Sequence, residues 1–279
     1  MTARKNTRIA LIGYGNIAHS LLKGLLAADY EADSIRVSDS AAAKLKDLKQ
    51  ETKGIRTFAS NLQAIEDATS AILCVKPDVV QAVCAEIKDT LMRQSTVLVS
   101  VAAGVSVDLL ERWTAQTLPI VRCMPNTPVA VGCGMIALYA NPCVTAEHKK
   151  LAEDIFSTVG STVWLEDEKD MHIVTALSGS GPAYFFRFTE AFEKAAKDLA
   201  CPPHLARELA MQTLYGAGKL ALQSRSDIAT LREQITSKGG TTERGLQVLE
   251  QADIDKIARS VLKAASLRSV EITQQLEDT

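Results

Sequence analysis

The sequence predicts an α/β protein in which a doubly wound, mostly parallel sheet precedes an all-helical domain. Short apolar runs alternate with helical patterns as far as about residue 165, which is typical of a parallel sheet with helices on both faces. From about Glu168 onward the apolar residues recur only at helical spacing. We therefore expect a sheet-containing domain over residues 1–167 and a helical domain over residues 168–279.

The composition excludes several classes of protein. The 279 residues are 47% hydrophobic and 23% charged, which is typical of a soluble globular protein with one or two domains. A net charge of −2 offers no basic face for nucleic acid, and no apolar run is long enough to span a membrane. The basic start MTARKNTR precedes only a short apolar run, which argues against a secretory signal. The six cysteines include no C-x-x-C pair, so we expect reduced thiols in a cytoplasmic protein and no metal site.

A glycine-rich segment follows the first apolar run, Ile9–Ile12, and leads into an amphipathic stretch. We interpret this arrangement as a strand, a tight turn and the start of a helix. Gly13 would allow the turn, Gly15 would let the backbone approach a pyrophosphate, and Ala18 would let the helix pack closely on the strand. An ordinary tight turn is the alternative. The strand-turn-helix context favours a Rossmann-like NAD(P)-binding domain, with cofactor contacts at Gly13, Gly15, Asn16, Ile17 and Ala18.

Further apolar or β-branched runs lie at residues 35–38, 71–75, 96–101, 120–124, 135–139 and 162–165. Ligands of parallel sheets bind at the carboxyl ends of the strands, so the residues directly after each run are the candidates for binding. Asp39 follows the second run. Its carboxylate would bind the adenosine ribose 2′-hydroxyl and favour NAD(H) over NADP(H), although an exposed turn aspartate is nearly as good an interpretation.

Three later strand ends carry further candidates. Val75 and Lys76 precede a proline that would start the next helix, and Lys76 would lie near the cofactor ribose or phosphates or else be a solvated lysine. The small residues around Ala102 would form a flat floor for the nicotinamide ring. Asn126 lies between two prolines, which fix the backbone in a way suited to presenting its amide to a ligand.

The second half contains apolar helical stripes, one of which carries Phe185, Phe188 and Phe192. Such stripes form a core or a subunit interface, and we expect this domain to form a homodimer or larger homo-oligomer. Glycine-rich segments at 178–184 and 236–242 precede helices. Consecutive glycines before a helix expose N–H groups that bind an anion, here a carboxylate, and Thr242 adds a hydroxyl. A capped helix with a flexible lead-in is the alternative.

At this point the sequence resembles a known family, pyrroline-5-carboxylate reductase, the last enzyme of proline biosynthesis. The resemblance covers essentially the whole chain through six ordered motifs: IGYGNIA, ILCVKP, SVAAG, RCMPNTP, LSGSGPAYFF and TSKGGTTERGLQVL. It implies that the glycine motif and the Val-Lys-Pro loop bind NADP(H) or NAD(H), and that Asn61 contacts the cofactor ribose. It also implies that the substrate carboxylate is held by Ser237 and by backbone amides of the segment through Gly239, Gly240 and Thr241, with Thr242 beside the ring nitrogen.

The chain departs from this family at two positions. Lys238 stands where many members carry proline, which affects the rigidity of the loop more than its chemistry. Asp39 stands where many NADPH-using members lack a carboxylate. The choice between NADH and NADPH therefore stays open.

The implied substrate, Δ1-pyrroline-5-carboxylate, is a cyclic imine that accepts hydride readily once it is protonated. Positioning then supplies much of the catalysis, and the cofactor carries the hydride. The absence of an obvious catalytic His–carboxylate pair agrees with this mechanism. We interpret the four histidines as structural or surface residues: His19, His148, His172 and His204.

Two other functions are compatible with parts of the sequence. A β-hydroxyacid-type dehydrogenase would carry a catalytic lysine on the helix after the junction glycines, but residues 179–192 contain no lysine. A noncatalytic dinucleotide-sensing dimer would have no need of a carboxylate-binding segment such as the one at 237–242.

Overall fold

The computed structural model of the chain describes residues 7–114 and 117–278, so most of the basic start noted above lies outside the described residues. The described chain contains one sheet, whose strands run in the spatial order β3-β2-β1-β4-β5-β6-β7-β8. All neighbouring pairs are parallel except β6 and β7, which are antiparallel. The strands are β1 (Ile9–Ile12), β2 (Ile35–Ser38), β3 (Arg56–Phe58), β4 (Ser70–Leu73), β5 (Val97–Ser100), β6 (Ile120–Pro125), β7 (Gly134–Ala140) and β8 (Gly160–Trp164).

The predicted strand runs are confirmed to within two residues at each end. β3 was not predicted, because it is only three residues long and carries an arginine and a threonine rather than an apolar run. β3 lies at the edge of the sheet, where a strand has one neighbour and needs little apolar surface.

Helices cover both faces of the sheet and create two cores. Along β1, Ile9 and Leu11 belong to one core, whereas Ala10 and Ile12 belong to the other, as the alternation of side chains along a strand requires. The predicted doubly wound architecture is therefore confirmed. The helices are α1 (Asn16–Ala27), α2 (Ala42–Glu51), α3 (Asn61–Ile65), α4 (Pro77–Gln94), α5 (Val107–Trp113), α6 (Ala146–Phe156) and α7 (Asp170–Val174).

After β8 the described chain is helical, as predicted. A π-helical turn, Thr175–Gly179, separates α7 from the next helix. Within the described ranges, every helix is too short or too polar to cross a lipid bilayer. The remaining helices are α8 (Gly181–Asp198), α9 (Pro203–Gln223), α10 (Ile228–Gln234), α11 (Thr241–Gln251) and α12 (Ile254–Glu277).

The chain forms two compact units. The first comprises Met1–Gly179 together with Ala265–Thr279, and the second comprises Ser180–Ala264. In the second unit the predicted aromatic stripe of α8 is uncovered, since Phe185, Phe188 and Phe192 are each about half exposed or more. An apolar face of this extent is typical of a surface that another subunit covers.

Candidate active site

The predicted glycine turn connects β1 to α1. Gly13 has a φ of +90°, and a β-carbon at this position would lie 2.8 Å from Cγ1 of Val75. Both the backbone conformation and the close contact therefore require glycine. The N–H of Gly13 donates to the carbonyl of Ser38 at 2.8 Å, which fixes the turn to the end of β2.

Gly15 is glycine for a different reason. Its φ of −96° and ψ of −170° suit any residue, and a β-carbon there would meet no atom within 4 Å. Gly15 and Asn16 are exposed, whereas Ala18 is fully buried against the core. The N-terminus of α1 has neither a side-chain cap nor an acidic residue in its first turn. The open space beside uncapped N–H groups fits a pyrophosphate.

Asp39 supports the glycine turn. Its carboxylate accepts hydrogen bonds from the N–H groups of Tyr14 at 2.7 Å and Ala41 at 2.8 Å, and Nζ of Lys44 lies 3.6 Å away. Its side chain is only 11% exposed, so the alternative of an exposed turn aspartate is wrong. Burial raises the pKa of the Asp39 carboxyl, but the two N–H donors and Lys44 outweigh it, and the pKa lies below its ordinary value.

Asn61 is at the start of α3, beside the end of β2. Its Oδ1 accepts from the Ser38 hydroxyl and its Nδ2 donates to Glu86, both at 2.8 Å. Lys76 follows β4, where it is exposed and forms the cap residue of α4, with Pro77 at the first helical position as predicted. The structure thus brings Asn61 and Asp39 to the same strand end, that of β2.

Ala102 and Asn126, which follow β5 and β6, are less available to a ligand than expected. Ala102 is only 6% exposed. Oδ1 of Asn126 accepts from the N–H of Met135 at 2.8 Å, and its Nδ2 donates to the carbonyl of Ser178 at 3.2 Å. The flanking prolines do present the amide, but they present it to protein groups. We expected the amide of Asn126 to face a ligand, but in the structure it is hydrogen-bonded to Met135 and Ser178.

The structure contains a buried ion pair that was not predicted from the sequence. Nη1 of Arg122, in the middle of β6, lies 2.7 Å from Oε1 of Glu168, and the same oxygen accepts from the N–H of Val107 at 2.8 Å. The two side chains are 6% and 22% exposed. The signal was available, because an arginine inside an apolar strand run requires a buried partner.

The second glycine segment precedes α11, and two of its N–H groups have hydrogen-bond partners within the chain. The N–H of Gly239 donates to Oε2 of Glu243 at 2.9 Å, and that of Gly240 donates to the carbonyl of Ser237 at 3.0 Å. The segment does bind a carboxylate, but the carboxylate is its own. The sequence did not reveal this, although a glutamate in the first turn often reaches back to N–H groups at the helix start. Of the three predicted amides, only that of Thr241 has no hydrogen-bond partner among the described residues.

Two hydroxyls accompany these amides. Ser237 is exposed, and its Oγ occupies the space that a β-carbon at Gly240 would need. Thr242 lies in the first turn of α11, where it is half-buried. Among the described residues its hydroxyl has no hydrogen-bond partner. It is therefore available to a ligand.

The four histidines have the structural or surface positions expected of them. None is paired with a carboxylate in the described residues, as a catalytic histidine commonly is. His19 Nδ1 lies 2.9 Å from the Tyr14 hydroxyl, His148 forms a capping box with Thr145, His172 Nδ1 lies 3.0 Å from the Ser269 hydroxyl, and His204 is exposed.

The chain matches known protein families and known proteins. Residues 168–272 match a family model described as pyrroline-5-carboxylate reductase dimerisation, and residues 8–104 match one described as NADP oxidoreductase, coenzyme F420-dependent. The pyrroline-5-carboxylate reductase of Pseudomonas aeruginosa is 40% identical over 269 residues, which cover 96% of this chain and 98% of that relative.

Solved structures agree. A pyrroline-5-carboxylate reductase from Coxiella burnetii is 37% identical, with a TM-score of 0.93 over 96% of this chain and 99% of that one. The pyrroline carboxylate reductase of Plasmodium falciparum, solved with NADP bound, is 28% identical, with a TM-score of 0.83 over 96% of this chain and 98% of that one.

Proposed function

The chain belongs to the pyrroline-5-carboxylate reductase family, and from this premise we propose that it reduces Δ1-pyrroline-5-carboxylate to L-proline. It is an NAD(P)H-dependent oxidoreductase acting on a C=N bond in the last step of proline biosynthesis. The observation that carries the proposal is the 40% identity to a relative of that name over 96% of this chain. The six free cysteines suit the cytoplasmic location that the proposal includes.

The proposal divides the work between two regions. Residues 1–167 bind the cofactor, and residues 168–279 bind the substrate and a second subunit. When bound, the nicotinamide cofactor supplies the hydride. The uncapped start of α1 and the space at Gly15 support this assignment, since both fit a pyrophosphate. We assign cofactor contacts to the turn residues Gly13, Gly15, Asn16 and Ile17, and to Asn61, Val75, Lys76 and Ala102. The buried Ala18 lets α1 pack closely behind this turn, and Asp39 fixes the turn through its hydrogen bonds.

Asn126 has a different role in the proposal. Its amide is already bonded to Met135 and Ser178, so it supports the backbone around the site instead of touching the cofactor. The π-helical turn that contains Ser178 is a type of local geometry found frequently at functional sites.

The contacts of Asp39 favour NADP(H). Its carboxylate is occupied by two backbone N–H groups and is compensated by Lys44, whose side chain is 54% exposed. A 2′-phosphate arriving at the end of β2 would therefore meet an accessible ammonium group instead of an uncompensated carboxylate. Asp39 serves to fix the glycine turn, and Lys44 sets the preference for the phosphate.

Replacing Lys44 with alanine tests this preference. We expect the variant to bind 2′,5′-ADP about tenfold more weakly, because one charge contact to a phosphate is worth about 1.5–3 kcal/mol, part of which is screened by solvent. Binding of 5′-ADP should not change. Lys46→Ala, on the same helix, is the matched control. Isothermal titration gives the dissociation constants of the wild type and both variants for the two nucleotides, and an equal loss for both nucleotides would show that Lys44 does not discriminate.

For the substrate, we assign the carboxylate to Ser237 and to the N–H groups of Gly239, Gly240 and Thr241. Two of these amides have partners within the chain, so the proposal requires the substrate carboxylate to displace Glu243 from Gly239. The free hydroxyl of Thr242 then binds the ring nitrogen, which makes it the catalytic residue of the proposal.

The match to a dimerisation model indicates that the chain forms homo-oligomers. We propose that the uncovered faces of α8 and α9 supply the interface, since these helices expose Phe185, Phe188, Phe192 and Leu209. The proposal includes no nucleic acid and no membrane as partners.

One assay tests the function. Purified protein is mixed with NADPH, and then with NADH, and the absorbance of the reduced cofactor is followed after Δ1-pyrroline-5-carboxylate is added. We expect oxidation of the cofactor and formation of proline. A protein that binds NADPH without turnover would instead be a dinucleotide sensor. Reduction of NAD(P)+ by a β-hydroxyacid, with no oxidation of NADPH by pyrroline-5-carboxylate, would indicate the other dehydrogenase class.

A further inference from the structure

One carboxylate oxygen, Oε1 of Glu168, connects three separate segments of the first unit. It lies 2.7 Å from Nη1 of Arg122 in β6, and it accepts a hydrogen bond from the N–H of Val107 at 2.8 Å. Val107 is the first residue of α5, and Glu168 lies just before α7. The side chain of Arg122 is 6% exposed, so the pair is largely shielded from solvent.

The segment that ends at Val107 begins at the end of β5 and contains Ala102. Within this segment, residues 100–107, the N–H of Ala102 donates to the Ser100 hydroxyl at 3.3 Å and the N–H of Val105 donates to the carbonyl of Ala102 at 3.4 Å. Its N-terminal half is fixed to the sheet, because the N–H of Val101 donates to the carbonyl of Leu73 at 3.1 Å. Its middle is covered by the end of α12, since a β-carbon on Gly104 would lie 2.6 Å from Ile272. Its C-terminal end is fixed by Glu168.

Arg122 connects Glu168 to β6. The strand that contains it ends at Pro125, next to Asn126, whose amide bonds Met135 and Ser178. Arg122 therefore belongs both to the ion pair that reaches Val107 and to the strand that leads to Asn126.

We propose that Arg122 and Glu168 form a positioning pair that holds residues 100–107 in place under the nicotinamide end of the cofactor. This inference rests on the proposed function, which assigns the cofactor to Ala102. Neither side chain touches the cofactor in the proposal. A buried ion pair contributes little net stability compared with apolar side chains of similar size, whereas it imposes a defined geometry on the groups that it joins.

The test separates the two ends of the cofactor. Glu168→Met keeps the length of the side chain but removes the charge and the acceptor, whereas Glu168→Gln removes only the charge. Asp154→Asn is the control, because Asp154 belongs to an exposed ion pair with Lys150 on α6. For each protein we measure binding of NADPH, binding of 2′-phospho-ADP-ribose, which lacks nicotinamide, thermal unfolding, and kcat.

We expect Glu168→Met to bind 2′-phospho-ADP-ribose with the affinity of the wild type. Its affinity for NADPH should fall about fivefold, and its kcat should fall roughly 10- to 100-fold, because small misplacements of reacting groups slow the reaction strongly. Glu168→Gln should show the same pattern with smaller effects, and it carries the test if the methionine variant does not fold. Equal losses for both ligands, in step with the melting temperature, would overturn the proposal, as would wild-type behaviour of both variants. If the wild type fails to reduce pyrroline-5-carboxylate, the proposed function fails, but the two binding measurements still decide the role of Glu168.

Discussion

Replacing Gly15 with valine is expected to abolish NAD(P)H binding while the fold is retained. The backbone at Gly15 has angles that valine adopts readily, and a β-carbon there meets no protein atom within 4 Å. The side chain would instead fill the space assigned to the pyrophosphate. Each charge-assisted hydrogen bond lost at this site is worth about 1.5–3 kcal/mol, so the dissociation constant should rise by roughly 100-fold or more. Fluorescence titration of NADPH measures this change.

Two further variants make the result specific. Gly13→Val should lose the native fold, because its φ of +90° and its contact with Val75 leave no room for a side chain. Gly245→Val, in the middle of α11, also faces open space but lies outside the cofactor region, and it should bind NADPH normally. Unchanged NADPH affinity in a folded Gly15→Val protein would contradict the assignment of the turn.

The fold was predictable because its signals are local. Runs such as Ile9–Ile12 and residues 35–38 are long enough to define buried strands, and the residues between them have helical spacing. β3 lacked such a signal because an edge strand buries little surface. The sequence left open whether the phenylalanines of α8 belong to a core or to a subunit interface, and the structure shows that they are not covered within this chain.

The sequence predicted which residues lie at the candidate site better than it predicted what their side chains contact. The residues identified from the sequence at the strand ends do lie there, yet several of their side chains bond to protein groups. The Asp39 carboxylate accepts a hydrogen bond from the N–H of Tyr14, and the Glu243 carboxylate accepts one from the N–H of Gly239. Such pairings depend on which loops meet in space, and spacing along one chain does not contain this information. The partnership of Arg122 with Glu168, 46 residues later, is of the same kind.

Replacing Thr242 with valine has the largest effect expected in the second unit. Its hydroxyl has no partner among the described residues, so the change removes no hydrogen bond of the folded chain. Valine has nearly the same shape and suits the first turn of α11 as well as threonine does. Stability should therefore change little, and any effect on turnover reports the interaction with the substrate.

We expect kcat/KM for pyrroline-5-carboxylate to fall roughly 10- to 100-fold in Thr242→Val, because one hydrogen bond in a closed site is worth about 1–3 kcal/mol. As hydride reaches the imine carbon, the ring nitrogen becomes an amine, and a hydroxyl can follow this change as either donor or acceptor. NADPH affinity should stay the same, since the cofactor is assigned to the glycine turn of the first unit. Thr230→Val, a half-buried change in the first turn of α10, is the control and should keep full activity. Full activity of Thr242→Val would show that Ser237 and the backbone amides alone bind the substrate. A loss of NADPH binding would instead show that residues 237–242 contact the cofactor.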